Sequence, residues 1–330
     1  MNRYDPTPSG TDRARHTTAN SDGRRRRWDP MLQFWNTRHS TLIGIGQGIG
    51  ILKTWRATPI SGWKERCRVK IRILGSHGSD QLTERNGVTS SCRPCAFLIN
   101  DQVLLDAGTV GSRLTLAEQQ QISHVLLSHS HFDHIKDLPT LADNLVGESA
   151  RPLVVAGIPD ALETLHTHVF NSTVYPDFFR IPHADRPVLT SHSLCPGQEW
   201  TSAGLRILPI MVNHQVPTVG YLISDQHATI LYSGDTYQTE DLWEAAAAAP
   251  NLAAAFIECS YPNNEVALAR QAKHLTPQLL SEEFRKIRRR DLPLYAYHLK
   301  PRFQPQIEQE LQALRLPHLS VLQEDQELHF

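Results

Sequence analysis

The sequence predicts a layered α/β domain over residues 69–330, with helices packed outside the sheets. Strand-like and helix-like segments alternate over about 260 residues, as judged by the period of their apolar residues. Hydrophobic residues make up 40% of the 330-residue chain and charged residues 20%, which is typical of a globular protein. No apolar run reaches about 18 residues, so we expect no membrane-spanning helix.

Residues 1–68 form a basic segment ahead of this domain. They carry thirteen Lys/Arg and five Asp/Glu, a balance of +8, so the rest of the chain has a balance of −9. Residues 1–30 have few apolar side chains, and we expect residues 1–68 to be a disordered or loosely attached extension. The arginines at 24–27 are typical of a solvated tail, with a nucleic-acid or membrane-surface contact as the alternative. The glycine-rich stretch 41–52 is a poor export signal, so we expect a cytoplasmic protein.

The first half of the domain is predicted to contain both strands and helices. Alternating or short apolar runs that end at Gly, Asn or Asp predict strands, at residues 69–74, 95–99, 102–106 and 122–127. The second and third of these form a hairpin around Asn100 and Asp101. Apolar residues that recur every three to four positions predict helices, at residues 114–121, 137–146 and 159–169.

The second half of the domain is predicted to begin with consecutive strands and to continue with helices and strands in alternation. The same criteria predict strands, at residues 188–190, 205–212, 219–223, 228–232, 252–257 and 292–297. Helical periodicity predicts three helices, at residues 241–249, 275–288 and 305–314.

A cluster of metal-binding residue types follows the strand at 122–127. His129, His131, Asp133 and His134 fall within six residues. In an extended chain, positions i and i+2 point the same way, so His129 and His131 can bind one ion together. Asp133 and His134 lie where the chain turns into the next helix, and they can face a second ion. Imidazole and carboxylate suit zinc and similar divalent metals, so the cluster predicts a metal site rather than chance clustering on a loop.

Further candidate ligands follow later strands. His214 comes after the strand 205–212, Asp235 follows the strand 228–232, and His298 follows the strand 292–297. Gly234 permits a tight turn just before Asp235. Each of these residues alone is more typical of a surface or capping position. Together with the cluster they form an ordered series.

This series resembles the metallo-β-lactamase superfamily of hydrolases, over about residues 69–330. The resemblance implies a four-layer αβ/βα sandwich and two divalent ions, with zinc expected and manganese or iron as alternatives. It implies that the first ion is held by His129, His131 and His214, the second by Asp133, His134 and His298, and that Asp235 bridges them. The motif LLDAG at residues 104–108 implies that Asp106 orients a ligand histidine.

Three C-terminal motifs resemble the phosphodiesterase branch of the superfamily, both the class II 3′,5′-cyclic-nucleotide phosphodiesterases and ribonuclease Z. They are FIECSYP at 256–262, AKHLTP at 272–277 and YAYHLKP at 295–301. The resemblance places Glu258 and His274 near the metals as catalytic residues, together with Asp133. A histidine held by a carboxylate can protonate a leaving alkoxide. The alternative is that His274 only precedes the helix that begins near Thr276.

These features predict hydrolysis of a phosphodiester with two metal ions, which can activate water and stabilise the phosphoryl oxygens. We expect a 3′,5′-cyclic nucleotide (cyclic AMP or cyclic GMP), cleaved to the nucleoside monophosphate, or a similar small phosphodiester. The alternatives are a ribonuclease Z-like tRNA 3′ endonuclease and a non-catalytic metal-binding module. The balance of −9 in the domain disfavours a long nucleic acid. The sequence leaves open whether the protein forms a homodimer.

Two weaker patterns have structural explanations. Five cysteines in so long a chain do not form a disulfide framework, and Cys92 and Cys95 are interpreted as separate thiols rather than a redox or zinc pair. Four aromatic residues surround Pro176, and either base stacking or packing of their loop explains them: Phe170, Tyr175, Phe178 and Phe179.

Overall fold

The computed structural model describes residues 69–85 and 87–330. The predicted basic extension of residues 1–68 lies outside the described residues. Strands and helices alternate through the described part of the chain, which confirms the predicted α/β class. None of the helices described there is long and apolar enough to cross a membrane.

Eighteen strands are found in the described residues. Those up to residue 193 are β1 (Lys70–Gly75), β2 (Gln81–Arg85), β3 (Val88–Cys92), β4 (Ala96–Ile99), β5 (Val103–Leu105), β6 (His124–Leu126), β7 (Leu153–Gly157), β8 (Pro182–His183), β9 (Arg186–Pro187) and β10 (Leu189–Ser193). The later ones are β11 (Trp200–Ser202), β12 (Leu205–Val212), β13 (Thr218–Ser224), β14 (Thr229–Tyr232), β15 (Leu252–Glu258), β16 (Leu294–Tyr297), β17 (Leu319–Val321) and β18 (Glu327–His329).

Eight α-helices lie among these strands, within the same described ranges. They are α1 (Leu116–Gln119), α2 (Phe132–Ile135), α3 (Leu138–Asn144), α4 (Pro159–Thr164), α5 (Asp241–Ala248), α6 (Val266–Ala272), α7 (Pro277–Arg285) and α8 (Gln304–Ala313). Local signals fix several boundaries. The Thr115 hydroxyl accepts a hydrogen bond from the Glu118 backbone N–H and forms a capping box with it, while Thr276 caps α7 ahead of Pro277.

Two seven-stranded sheets form the centre of the domain. Their strand orders are β10-β7-β6-β5-β4-β1-β18 and β11-β12-β13-β14-β15-β16-β17. Strands β5, β6, β7 and β10 are parallel to one another, and so are β14, β15, β16 and β17. The hairpins β2-β3 and β8-β9 stand apart from the two sheets.

Three apolar clusters show how the layers stack. One joins buried side chains from both sheets, such as Ile71 and Tyr221. The second packs α3 and α4 on the outer face of the first sheet, for example through Leu141. The third packs α5, α7 and α8 on the outer face of the second sheet, for example through Trp243. The order helix, sheet, sheet, helix confirms the predicted four-layer sandwich.

The predicted elements are present, most of them with shifted ends, but eight strands and two α-helices of the described residues were not predicted. Strand β7 was missed, although residues 152–157 (PLVVAG) form a buried apolar run between Pro and Gly. The predicted helix at 159–169 is α4 followed by a π-helical turn at Leu165–Val169. Among the described residues, Cys92 and Cys95 are free buried thiols. Phe170 and Phe178 are buried in the second apolar cluster, which favours packing over base stacking for that loop.

The topology gathers several strand ends at one edge of the sandwich. Strand β12 is antiparallel to β13, which is antiparallel to β14, so β12 and β14 run the same way. The carboxyl ends of parallel strands lie at the same edge of a sheet, which is where open α/β folds place their ligands. Asp106, Ser128, His214, Asp235 and His298 all follow such ends.

Candidate metal centre

The seven predicted metal ligands meet at this edge. One group, with its ligand atoms within 4.8 Å of one another, comprises His129, His131, His214 and Asp235. A second group, by the same measure, comprises Asp133, His134 and His298. Residues that are up to 169 positions apart in the chain therefore converge on one site. Their assignment as ligands stays a prediction.

Asp235 lies between the two groups. Its Oδ2 atom is 3.7 Å from His129 Nε2 and 3.9 Å from His214 Nε2 on one side. On the other side it is 3.3 Å from the Nε2 atoms of both His134 and His298. The residue is 1% exposed. This central position agrees with the predicted bridging role.

The donor set fits a metal ion better than an ordinary hydrogen-bonded core. His129 Nε2 and Asp235 Oδ1 are buried and have no hydrogen-bond partner among the described residues. A buried polar atom without a partner costs about 1–3 kcal/mol, and such atoms are rare in native proteins. Imidazole nitrogens and carboxylate oxygens are the ligands that zinc and related divalent ions prefer. A cation between the two groups would satisfy both atoms.

Asp106 orients His134, a member of the second ligand group, through a hydrogen bond. Its carboxylate is buried and accepts hydrogen bonds from Ser128 N at 2.8 Å, Ser128 Oγ at 2.8 Å, His134 Nδ1 at 2.7 Å and Tyr232 Oη at 2.7 Å. The contact with His134 leaves that ring's Nε2 atom facing the centre. A carboxylate on the outer nitrogen of a ligand histidine fixes the ring orientation and raises its basicity. The predicted role of Asp106 therefore has its expected partner.

Other candidate ligand histidines are held in the same manner. His129 Nδ1 is 2.9 Å from Ser128 Oγ, and His298 Nδ1 is 2.8 Å from Ser260 Oγ. His214 Nδ1 donates to the Lys273 carbonyl oxygen at 3.1 Å. The rings therefore have fixed orientations before any ion binds, which lowers the ordering cost of metal binding.

The backbone approaches the centre closely at one glycine. A Cβ atom on Gly78 would lie 2.8 Å from Cε1 of the His298 ring. Asp106 and His298 themselves adopt left-handed conformations, with φ of 56° and 64°. Non-glycine residues in this region are uncommon and cluster at functional sites.

Glu258 and His274 form a buried pair beside the centre. His274 Nδ1 is 2.8 Å from Glu258 Oε1, and the two residues are 7% and 0% exposed. Ser260 Oγ donates to Glu258 Oε2 at 3.0 Å and is 3.2 Å from His274 Nδ1. His274 also groups with Asp235 and His298 within 4.8 Å. The pair thus lies within reach of a molecule bound at the metal centre.

Burial shifts the two pKa values in opposite directions. It raises the pKa of Glu258 to about 8, helped by the charge of Asp235. It lowers the pKa of His274 to about 4. Near neutral pH the pair therefore holds one proton across its hydrogen bond. Such a pair can supply a proton to a leaving group.

Comparison with known proteins decides the family. Residues 101–296 match the model of the "Beta-lactamase superfamily domain". The chain belongs to the β-lactamase superfamily. Among curated members, ribonuclease Z of Mycobacterium bovis (strain BCG / Pasteur 1173P2) is 29% identical over 199 residues, which cover 56% of this chain and 69% of that protein. Ribonuclease Z of Mycobacterium marinum is 31% identical over 198 residues, which cover 55% and 68%.

Solved structures of the superfamily share the fold. Unliganded yeast PDE1 superimposes with a TM-score of 0.66 and 18% identity, and covers 80% of this chain and 99% of its own. The short form of human tRNase Z gives a TM-score of 0.57 and 15% identity, with coverage of 78% and 98%. These findings confirm the predicted metallo-β-lactamase fold and identify the chain as a metal-dependent hydrolase.

Sequence reasoning missed the residues that link the ligands. Ser128, Tyr232 and Ser260 come from separate segments, and their side chains contact Asp106, the candidate ligand histidines or the Glu258–His274 pair. The only sequence signal was position, since Ser128 and Ser260 flank predicted functional residues. Tyr232 ends a buried strand and carried no signal.

Proposed function

We propose that this protein hydrolyses a phosphodiester at a centre of two divalent metal ions. The observation that supports this best is the Glu258–His274 pair, which lies beside the candidate ligands Asp235 and His298. Hydrolysis of a phosphodiester with an alkoxide leaving group needs a proton donor in addition to water activation. The site holds a candidate for that donor.

The metal ions would be held by the two ligand groups, with Asp235 between them. When bound, such ions lower the pKa of water and offset charge on the phosphoryl oxygens. Zinc suits the donor set, and manganese and iron use the same ligand types.

His274 would donate the proton to the leaving oxygen. Its Nδ1 atom is engaged with Glu258 and Ser260, so its Nε2 atom is the one available to the substrate. Glu258 also accepts from the backbone N–H groups of Thr236 and Leu275, which hold the carboxylate in place. Glu258 therefore orients His274 and does not itself meet the substrate.

We propose a small substrate, with a 3′,5′-cyclic nucleotide as the first to test. The ring of Tyr261 lies 5.8 Å from the ring of His274, centroid to centroid, and Tyr261 is half-buried. An aromatic ring at that place offers a stacking surface for a base attached to the leaving oxygen. The balance of −9 in residues 69–330 also favours a small ligand over a polyanion.

The second candidate is a ribonuclease Z-like cleavage of precursor tRNA. The curated relatives named above carry that name, and their similarity spans more than half of this chain. The chemistry at phosphorus and the proposed residues would be the same. The two candidate functions differ in the size of the groups that the scissile phosphodiester joins: a single nucleoside in one case and a tRNA chain in the other.

A substrate panel with metal-loaded protein separates these functions. Turnover of bis-p-nitrophenyl phosphate would support phosphodiester hydrolysis, and its absence with two bound metals would favour a non-catalytic binding module. Cyclic AMP, cyclic GMP and a precursor tRNA, each at several concentrations, would then rank the two enzymatic candidates by kcat/KM. Elemental analysis of the same sample gives the number and identity of the ions.

A further inference from the structure

We infer that Lys300 binds the phosphoryl group of the substrate at the rim of the candidate metal centre. This inference rests on the proposed function, because it assumes an anionic phosphorus substrate. Lys300 lies two residues after the candidate ligand His298, and neither the family resemblance nor the predicted ligand set assigns it a role.

The backbone around Lys300 is fixed on two sides. Leu299 forms a parallel bridge with His77, and the Lys300 N–H donates to the Ser260 carbonyl oxygen at 3.4 Å. The short 3₁₀ segment Pro301–Phe303 follows directly. The Lys300 side chain therefore extends from a backbone segment that is held in place by these contacts.

The ammonium group faces the outer part of the second ligand group. Lys300 Nζ lies 3.8 Å from Asp133 Oδ2, and the same carboxylate oxygen is 3.4 Å from His298 Nε2. The Lys300 side chain is 25% exposed, so it can be reached from solvent. A ligand that enters the centre over Asp133 passes this charge.

The hydrogen bonds of Lys300 leave donors for a ligand. An ammonium group has three N–H donors and no acceptor. One donates to the Gly78 carbonyl oxygen at 2.5 Å, and Asp133 at 3.8 Å is an ion-pair contact beyond hydrogen-bond distance. Within the part of the chain that the structure describes, two donors are therefore available for the oxygens of a phosphoryl group.

Two nearby lysines lack this arrangement. Lys273 donates its ammonium group to the His214 carbonyl oxygen, on the side of the first ligand group. Lys136 pairs with Asp80 and lies 3.8 Å from Asp137, neither of which is a candidate ligand. Lys136 has a side-chain exposure of 28%, close to that of Lys300, so it is a matched control.

The test measures binding of inorganic phosphate to metal-loaded, full-length protein by titration calorimetry. A charged hydrogen bond of this kind contributes about tenfold or more to affinity. Lys300→Met should weaken phosphate binding by about tenfold while it keeps the metal content and the thermal midpoint. Lys300→Arg should recover part of the affinity, because it restores the charge. Lys136→Met should bind phosphate as the wild type does.

Kinetics give a second measurement. With bis-p-nitrophenyl phosphate, Lys300→Met should raise KM more than it lowers kcat, and Lys136→Met should change neither. If no phosphodiester is turned over, the proposed function fails, but the phosphate titration still tests Lys300.

Three outcomes would overturn the inference. The first is wild-type protein that binds two metals but no phosphate. The second is Lys300→Met that retains full phosphate affinity, or Lys136→Met that loses as much. The third is a pair of results: Lys300→Met loses metal or unfolds, and Lys300→Arg is inactive as well. That pair would show that Lys300 is a structural partner of Asp133.

Discussion

Replacement of His274 by alanine tests the proton donor most directly. The residue is 7% exposed and its Nδ1 atom is 2.8 Å from Glu258, so the variant removes a fixed proton source and leaves the ligand groups intact. General acid catalysis contributes about 10²–10⁴-fold, equivalent to about 3–5 kcal/mol in the activation free energy. We expect a loss of that size with a substrate whose leaving group is a sugar alkoxide.

The expected loss depends on the leaving group. Nitrophenolate leaves without protonation, so His274→Ala should slow bis-p-nitrophenyl phosphate far less than a cyclic nucleotide. Glu258→Gln keeps a hydrogen-bonding group beside His274 and removes the carboxyl that shares a proton with it. Because one hydrogen bond of this kind contributes about 1 kcal/mol, we expect a loss of about five- to tenfold on the alkoxide substrate.

The assay is the ratio of kcat/KM values for the two substrates, with metal content measured on each sample. His124→Ala is a control for loss of a half-buried histidine, because His124 begins β6 at the end opposite the ligands. It should leave the ratio unchanged. Equal losses of His274→Ala on both substrates would refute the proton-donor role and indicate a structural or phosphate-binding role.

Three further predictions concern the metals and the ion pair between His77 and Glu324. Asp235→Ala should reduce bound metal from two equivalents to one or fewer by elemental analysis, because it removes the carboxylate between the two groups; full occupancy would exclude a bridge. Asp106→Asn should weaken metal affinity by about 10–100-fold in competition with a chelator, because His134 loses its charged partner; unchanged affinity would contradict this. Burial acts to lower the pKa of His77, but Cys92 and Glu324 outweigh it and raise this pKa to about 9. This contribution to stability is complete below about pH 6.5 and lost as the pH rises through 9. Glu324 also pairs with Arg93 at both pH values, so Glu324→Gln should cost about 1–2 kcal/mol more in urea unfolding at pH 6 than at pH 10; an equal cost at both would contradict the prediction.

Much of the fold could be predicted because its strands are buried runs with clear ends. Strand β12 was predicted at its observed bounds, and the helix at 137–146 was predicted to within two residues at each end. Strand β7 was missed because a short apolar run does not distinguish a strand from a buried helix. Strands β17 and β18 were missed because their side chains are partly exposed or exposed, so they lack the pattern of a buried strand.

The candidate ligands could be predicted because each follows a strand end, and parallel strands bring their ends to one edge. The supporting contacts could not be predicted in this way. Tyr232 reaches Asp106 across 126 positions, and Lys300 reaches Gly78 across 222. Such contacts depend on the spacing of the two sheets and on side-chain direction, which one sequence does not reveal.

The left-handed backbone at Asp106 has a cost that its side chain more than offsets. Such a residue costs about 1–2 kcal/mol relative to an ordinary conformation, whereas glycine adopts it freely. Glycine at this position would, however, remove the carboxylate that accepts four buried hydrogen bonds, and each buried donor left without a partner costs about 1–3 kcal/mol. A screen for stability alone should therefore retain Asp106, even though glycine would relieve its backbone.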